Sequence, residues 1–357
     1  MVYKALLSAN IFFVISLLIS YLAVHINPAD IVIPAFFGLA YPYFLLINIF
    51  FVVVWAMFLK FEALISVAVI ALGFTHLSNY IRIGKHTGNL EGTFKVISYN
   101  VRLFNFFENK KNPDSEDKIL DFLKVQAPDI LCLQEFSGTG NPRQKEQAVN
   151  STLGGRFYSH MKIIGNGKNR FYGIITFSKF PIVARGELIH PGSSSLSIYS
   201  DVLINKDTFR IFNNHLQSFR LKSMERSFLE EITDYDDKKT IGEIRSISAS
   251  LKNGFILRSK QAKVVKSEIN NSPYPVIVAG DFNDTPVSYS YRTIRKGLND
   301  SFVTSGYGAG FTYKGNYPPN RIDYILYNNA LESRHFDIIK AKYSDHYPII
   351  AWFRKTN

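Results

Sequence analysis

The chain is poor in cysteine, and its first 78 residues are poor in charge. Cys132 is the single cysteine, which excludes an intrachain disulfide. It lies in the apolar stretch DILCLQE and is predicted to be a small, buried core residue. Only two lysines and two acidic residues precede residue 79, so the neutral mean hydropathy of the chain averages two unlike parts. No internal repeat and no low-complexity tract is present.

Three apolar runs fill the part that lacks charge. Residues 5–26 and 31–61 are long enough to cross a bilayer, which takes about 20 residues, and residues 62–77 form a shorter run. The sequence therefore predicts an all-α membrane anchor of three transmembrane helices within residues 1–78. A cleaved signal peptide is the alternative for the first run, but the two apolar runs that follow it favour an anchor.

The few positive charges beside these runs predict the orientation in the membrane. Lys4 precedes the first run and Lys60 follows the second, while the loop NPAD between them has no Lys or Arg. The positive-inside rule then places the N-terminus in the cytoplasm. With three spans, the domain that follows a polar linker at residues 79–93 is extracytoplasmic, and the protein is a multi-pass membrane protein. If the third run does not span, that domain is cytoplasmic.

Residues 94–357 contain short β-rich runs that end in polar side chains. The run VIVAGDFNDTP at residues 276–286 begins with branched residues typical of a strand buried on both faces. Carboxylates at its end are costly in a core unless they are paired or bind metal. One such ending is typical of a polar turn, and we expect Asp284 to cap the turn before Thr285 and Pro286.

Polar endings recur in six predicted strands of this region. They are Asn100, Glu135, His215, Asp281 with Asn283, Asp323, and Asp345 with His346. Because strand ends at one edge of a sheet can converge on a common cleft, six of them together favour a shared site over scattered turns.

The order of the motifs around these residues resembles the endonuclease/exonuclease/phosphatase superfamily. The motifs are SYNVR, LQE, NNHL, GDFN, RIDYI and SDHYPI, and they are spread over residues 94–357. This superfamily of metal-dependent phosphoesterases includes DNase I-like nucleases, AP endonucleases, neutral sphingomyelinases and inositol polyphosphate 5-phosphatases. The resemblance implies an α/β fold, a four-layer α/β/β/α sandwich, for this catalytic domain.

The resemblance also implies a metal site. A hard divalent cation on oxygen ligands offsets the charge of a phosphoester and activates water. Glu135 is the expected Mg²⁺ ligand, with Asn100 alongside and Asp345 as a further ligand. Mn²⁺ is the alternative ion, and one or two ions are expected.

Five further residues are expected to take part in catalysis. By resemblance, Asp281 orients and deprotonates the attacking water, and Asn283 and His215 each hold a phosphate oxygen. His346 is expected to stabilise developing charge or move a proton. Asp323 is expected to pair with one nitrogen of His346, fixing its tautomer and keeping it protonated.

Residues 218–269 form a basic, largely helical segment between two of the motifs. One interpretation is a lid or basic rim that grips an anionic substrate, and the other is an amphipathic helix pair packed beside the sheet. Under the first interpretation Arg220 and Arg258 of this segment bind the substrate, and Asn213 of the NNHL motif is a further predicted substrate-binding residue.

Substrate class is left open among three hypotheses. The favoured one is a membrane-anchored, Mg²⁺-dependent phosphodiester hydrolase that acts on lipid head groups or another envelope phosphoester. The alternative is a membrane-tethered nuclease, which the net charge of +12 permits. Glu135 is followed by Phe136 and Ser137 rather than the Thr-Lys of AP endonucleases, which weakens a DNA-repair role. The third, an inactive membrane interaction protein, is disfavoured by the complete motif set. The predicted partners are the lipid bilayer and a phosphoester, lipid or nucleic acid, and no protein partner is inferable.

Overall fold

The structure is a computed structural model that describes residues 1–84, 88–105, 114–165, 169–193, 195–219, 237–315 and 320–356. The chain forms two compact units. The first unit comprises residues 1–81, 218–263 and 284–294, and the second comprises residues 82–217, 264–283 and 295–357. The first unit ends its N-terminal part at residue 81, inside the predicted linker at residues 79–93. It also contains residues 218–263 and 284–294, which lie beyond that linker in the sequence.

The first unit is helical. Its N-terminal helices are Val2–Leu22, Ile33–Leu39, Tyr41–Met57, Ala63–Leu72 and Phe74–Leu77. The long helix Asp237–Asn270 begins in this unit and ends in the second, and the short helix Tyr289–Arg295 follows the strand that carries Asp281. The predicted helical character of residues 218–269 is confirmed from residue 237 onward, and residues 220–236 lie outside the described residues.

A buried polar cluster ties the N-terminal helices together. Asn10 Nδ2 donates to Ser66 Oγ at 2.7 Å, and Trp55 Nε1 donates to Asn10 Oδ1 at 2.9 Å. Ser66 Oγ in turn donates to Asn48 Oδ1 at 3.1 Å. All four side chains are buried. Because an unpaired polar group is costly in apolar surroundings, these bonds select one packing of the helices.

The prediction of three membrane spans is not supported. Val2–Leu22 is long and apolar enough to cross a membrane, and Ile33–Leu39 with Tyr41–Met57 pass the same test only as a pair bent by 66°. Ala63–Leu72 has ten residues and rises about 15 Å, half of a bilayer core of about 30 Å. Hydropathy revealed the apolar run, but it did not reveal that the helix begins only at residue 63 and breaks at Gly73.

Two six-stranded sheets form the second unit. The strands are β1 Ile81–Arg82, β2 Phe94–Asn100, β3 Ile130–Thr139, β4 Tyr158–Gly165, β5 Arg170–Ser178, β6 Ile182–Leu188, β7 Leu196–Ile204, β8 Asp207–His215, β9 Val276–Asp281, β10 Asn299–Asp300, β11 Gly308–Ala309, β12 Asp323–Tyr327, β13 Leu331–Ile338 and β14 Ile349–Lys355. The first sheet has the order β13-β14-β2-β3-β5-β4, the second has the order β10-β12-β9-β8-β7-β6, and β1 and β11 lie outside these two sheets.

The hydrophobic core lies between these sheets. Alternate residues of each strand point into it, among them Val96 on β2, Ile277 on β9 and Ile349 on β14. Cys132 belongs to the same cluster and is fully buried, which confirms its predicted role. All six residues of β9 are buried, as the branched run predicted.

Helices cover the outer faces and complete the expected four-layer α/β/β/α sandwich. Ser115–Gln126 and Pro142–Thr152 pack on the first sheet through residues such as Ile119 and Val149. On the second sheet, Arg210 of β8 bonds Glu268 near the end of the long helix, 3.0 Å away. In the first of these helices Asp114 occupies the N-cap position and Ser115 is the first helical residue. The helix stops where the residue before Pro128 leaves the α region.

Candidate active site

The site lies where the strands of both sheets meet at one edge. Strands β2 and β3 run parallel, with Asn100 paired to Gln134, and β8 and β9 run parallel, with His215 paired to Asp281. Parallel neighbours end at the same edge, so the polar residues at their carboxyl ends are delivered together. A hydrogen bond from Asn100 on β2 to Asp281 on β9 joins the two pairs of strands.

Two of the six predicted strand endings are strand beginnings. Asp323 is the first residue of β12, which is antiparallel to β9 and pairs Asp323 with Asp281. Asp345 and His346 precede β14, which is antiparallel to β2. An antiparallel strand begins where its neighbour ends, so these residues still reach the same edge.

Unusual backbone conformations aim the side chains at this edge. Glu135 has a φ of 54° beside a register shift in the β3–β5 pairing, and such a bulge redirects a side chain. Asn283 has a φ of 52°. Gly280 has a φ of 136°, and a Cβ there would lie 2.0 Å from the Asn214 carbonyl oxygen. Only glycine fits this close approach, which explains the break in the apolar run before Asp281.

Asp281 is the centre of the hydrogen-bond network. Its Oδ1 accepts from the Asn283 backbone N–H at 2.8 Å, and its Oδ2 accepts from Asn100 Nδ2 at 3.0 Å. His215 Nε2 and His346 Nε2 lie 3.8 and 3.7 Å from Oδ2. The carboxylate is 1% exposed. Burial raises its pKa from 3.8 to about 6, Asp323 adds to the rise, and both histidines oppose it.

His346 and Asp323 form the predicted pair. His346 Nδ1 lies 2.9 Å from Asp323 Oδ2, which leaves Nε2 directed towards Asp281. Burial alone would lower the pKa of His346, but the Asp323 and Asp281 carboxylates outweigh it and raise the pKa well above 6.5. The ring of Tyr313 packs edge-on against the imidazole, with centroids 5.1 Å apart. The histidine is therefore held cationic and fixed in orientation.

The three predicted metal ligands differ in the hydrogen bonds and ion pairs that their side chains already make. Burial raises the pKa of Glu135, and the neighbouring Asp345 carboxylate raises it further. Asn100 donates from Nδ2 to Glu135 at 3.3 Å and to Asp281, while its Oδ1 accepts from the Arg102 N–H. In this geometry the Asn100 amide positions both carboxylates. Asp345 lies 3.3 Å from Arg102 Nε.

Two of the three predicted substrate-binding residues lie within the described residues, and both are buried. Asn213 is fully buried, accepts from Gln134 Nε2 at 2.8 Å and donates to the Leu133 and Ile175 carbonyls, so its amide is used within the sandwich. Arg258 is also fully buried, in the first unit. Both predictions are corrected because the two side chains are engaged inside the protein, Asn213 with Gln134 and two carbonyls, and Arg258 with Asp284. Arg220 lies outside the described residues.

Sequence reasoning missed Thr312 and Ser344. Thr312 is fully buried, and its Oγ1 accepts from the N–H groups of Ile322 and Asp323 at 3.0 and 3.1 Å. Its carbonyl also accepts from the Tyr347 N–H, so one residue holds the backbone beside both members of the Asp323–His346 pair. Ser344 Oγ donates to the Asn100 carbonyl at 2.8 Å. Neither residue stands at a strand end, so the pattern that found the others gave no signal.

Two family models match the sequence. Residues 97–346 match the endonuclease/exonuclease/phosphatase family, and residues 3–80 match a domain of unknown function, DUF8431. The search of curated proteins found no match.

Solved structures of similar fold come from several organisms. D. rerio TDP2 complexed with single-strand DNA product has a TM-score of 0.53, 17% identity, and coverage of 74% of this chain and 100% of its own. The human Nocturnin catalytic domain with bound sulfate has a TM-score of 0.52, 17% identity, and coverage of 76% and 98%. A Bacteroides thetaiotaomicron mannosyl-6-phosphatase has a TM-score of 0.52, 17% identity, and coverage of 73% and 99%. At these identities the likeness concerns the fold alone.

Proposed function

This chain belongs to the endonuclease/exonuclease/phosphatase family of metal-dependent phosphoester hydrolases, and we propose that it hydrolyses its phosphoester with Mg²⁺, using Asp281 to activate the attacking water. The observation that carries the proposal is the meeting of Asp281, His346 and Glu135 at one edge of the sandwich. A buried base beside a histidine kept cationic is suited to general acid–base chemistry.

The donor set fits a hard divalent cation. Carboxylate oxygens are the ligands that Mg²⁺ and Mn²⁺ prefer, and the carboxylates of partly buried Glu135 and buried Asp281 have raised pKa values that a nearby cation would lower. Glu135 and Asp345 are the residues proposed to hold the ion. When bound, the metal supplies Lewis-acid polarisation of a phosphoryl oxygen.

A second candidate position is formed by Asp281, Asp323 and His346, whose ligand atoms lie within 4.8 Å of one another. His346 Nδ1 and Asp323 Oδ2 already share a 2.9 Å hydrogen bond, so these two atoms are occupied while the pair is intact. We therefore assign these three residues to proton transfer and a single ion to Glu135 with Asp345.

The residues themselves divide the reaction between them. Ionised Asp281 takes a proton from water, and Asn100 and the Asn283 N–H hold its carboxylate in place. Cationic His346 faces the same carboxylate and donates to the charge that develops on the phosphoryl group or the leaving oxygen. His215 contributes a further donor to a phosphate oxygen, whereas the Asn283 amide already donates to the Leu216 carbonyl and to Asp281.

We further propose that residues 1–78 attach the enzyme to a membrane and that its substrate is a lipid head group or another envelope phosphoester. Val2–Leu22 supports the attachment by its length and apolar composition, and many large apolar side chains of this segment are exposed. A nuclease is the second candidate. The charges of residues 1–78 cancel, so the net charge of +12 belongs entirely to the remainder of the chain, where it favours a polyanion.

A comparison of substrates separates the two candidates. Full-length enzyme in detergent is incubated with Mg²⁺ and either plasmid DNA or mixed micelles that contain sphingomyelin or a phosphatidylinositol phosphate. We expect lipid turnover and intact plasmid, and no activity from Asp281→Ala on either substrate. Nicked plasmid with intact lipid would establish the nuclease instead. Equal rates with Asp281→Ala would contradict the assigned site.

A further inference from the structure

We propose that the N-terminal segment, residues 1–81, has a second role besides membrane attachment. It docks through the helix Ile33–Leu39 onto the long helix at Phe255 and onto the loop at Val287. The docking thereby holds Asp284, the residue that directly follows Asn283. Every contact of the N-terminal segment that the proposal uses lies within the first unit.

Aromatic rings form the first part of the interface. Phe36 packs edge-on against Phe255 with centroids 5.3 Å apart, and Phe255 packs edge-on against Phe219 at 5.4 Å. Phe255 is 2% exposed. Edge-to-face pairs of this kind contribute beyond their buried area. A flexible tether would make no such contact, so the N-terminal segment is docked on the long helix that carries Phe255.

A close backbone approach forms the second part. A Cβ on Gly38 would lie 2.4 Å from the Val287 carbonyl oxygen and 2.5 Å from the Ala23 Cβ. Val287 is buried. Since any side chain at residue 38 must push the helix away from this carbonyl, glycine allows the helix to rest on the loop that begins at Asp284.

A buried ion pair connects the aromatic rings to that loop. The Arg258 guanidinium lies 4.2 Å from the Phe219 ring centroid and 5.4 Å from that of Phe255. Its Nε donates to Asp284 Oδ2 at 3.0 Å, and Asp284 Oδ1 accepts from the Thr285 N–H, which is the turn contact expected from the sequence. Both charged side chains are buried. A buried ion pair depends on well-packed surroundings. Phe36 of the N-terminal segment helps to supply them through its contact with Phe255.

The consequence reaches the catalytic loop along the chain. Asp284 is joined by one peptide bond to Asn283, whose N–H and amide both hold Asp281. Small displacements of such a group are enough to lower a rate by about 100-fold. Loosening the docked helix should therefore free the segment 284–294 and slow catalysis without removing any catalytic group.

Hydrogen–deuterium exchange and turnover of full-length protein in detergent micelles test this proposal together. The variants are Phe36→Ala and Gly38→Leu, and the matched control is Phe50→Ala, because Phe50 is 59% exposed on the same segment. We expect faster amide exchange at residues 250–260 and 284–294 in both variants, and a kcat lowered about tenfold or more with bis(4-nitrophenyl) phosphate as the probe. The control should match the wild type in both measurements.

A double-mutant cycle with Phe255→Ala distinguishes contact from general damage. If the rings act through their contact, adding Phe36→Ala to Phe255→Ala should produce little further change in exchange or kcat. Unchanged exchange at residues 284–294 in Phe36→Ala, or fully additive effects in the cycle, would overturn the docking proposal. The exchange readout does not require activity. A wild type without turnover but with the expected exchange pattern would contradict the proposed hydrolysis and leave the docking supported.

Discussion

Replacing Asp281 with asparagine is expected to lower kcat by about 1,000-fold, within the range that positioned general bases contribute. Asparagine keeps the size of the side chain but cannot take a proton from water. The Asn283 N–H can still donate to the remaining oxygen, so the loop should stay in place. Initial rates with bis(4-nitrophenyl) phosphate at saturating Mg²⁺ measure the effect.

The same variant should be more stable than the wild type at neutral pH in the absence of metal. The pKa of Asp281 is raised from 3.8 to about 6 in the folded state, so folding favours its protonated form. This stability is fully present below pH 3.8 and is lost as the pH rises through about 6. The ionised carboxylate then costs about 1–3 kcal/mol. The amide of the Asp281→Asn variant carries no charge, so the variant avoids this cost.

Urea unfolding at several pH values checks this difference. With EDTA present, Asp281→Asn should exceed the wild type in free energy of unfolding at pH 7.5, and the two should converge below pH 4. Equal free energies of unfolding at pH 7.5, or a variant that keeps its activity, would show that Asp281 is not a buried, ionised base. Asp207→Asn, on an exposed acid paired with Lys355, serves as the control.

Replacing Glu135 with glutamine is expected to abolish measurable Mg²⁺ binding and to reduce turnover accordingly. Even residues that only support a metal ligand change affinity by about 10–100-fold, and a direct carboxylate ligand should exceed this. Glutamine also removes the charge repulsion between residue 135 and Asp345. Titration calorimetry of the metal-free protein measures the loss without relying on activity.

A surface acid on β6 supplies the control for this experiment. Glu187 is paired with Lys162 and is exposed, so Glu187→Gln should bind Mg²⁺ as the wild type does. The comparison with Asp323→Asn decides between the two metal positions. If Asp323→Asn loses the ion while Glu135→Gln retains it, the metal lies at Asp281, Asp323 and His346, and the assignment of those residues to proton transfer is wrong.

Sequence patterns indicated which polar residues gather at this edge of the sandwich because most of them stand at strand ends, which are local features. The branched run before Gly280 and the polar residues after it predicted the strand, its buried faces and its polar end in a single stretch. The register that brings Asp323 opposite Asp281 is a property of strand pairing, and the motif order captured it only through resemblance.

Other features depend on distant contacts and left no local pattern. Arg258 was interpreted as a substrate-binding residue because a basic helix looks the same whether it faces solvent or a buried acid such as Asp284. Thr312 stands in a loop, and its importance follows from the two N–H groups that reach it. The docking of Phe36 on Phe255 joins residues more than 200 positions apart, which composition and periodicity do not encode.

The location of the isotope after hydrolysis in H₂¹⁸O tests the central claim most directly. Full-length enzyme, Mg²⁺ and a phosphodiester are incubated in labelled water, and both products are analysed by mass spectrometry. Attack of an Asp281-activated water on phosphorus predicts one ¹⁸O atom in the phosphate-containing product and none in the alcohol. Label in the alcohol, or no hydrolysis of any phosphoester under these conditions, would contradict the account.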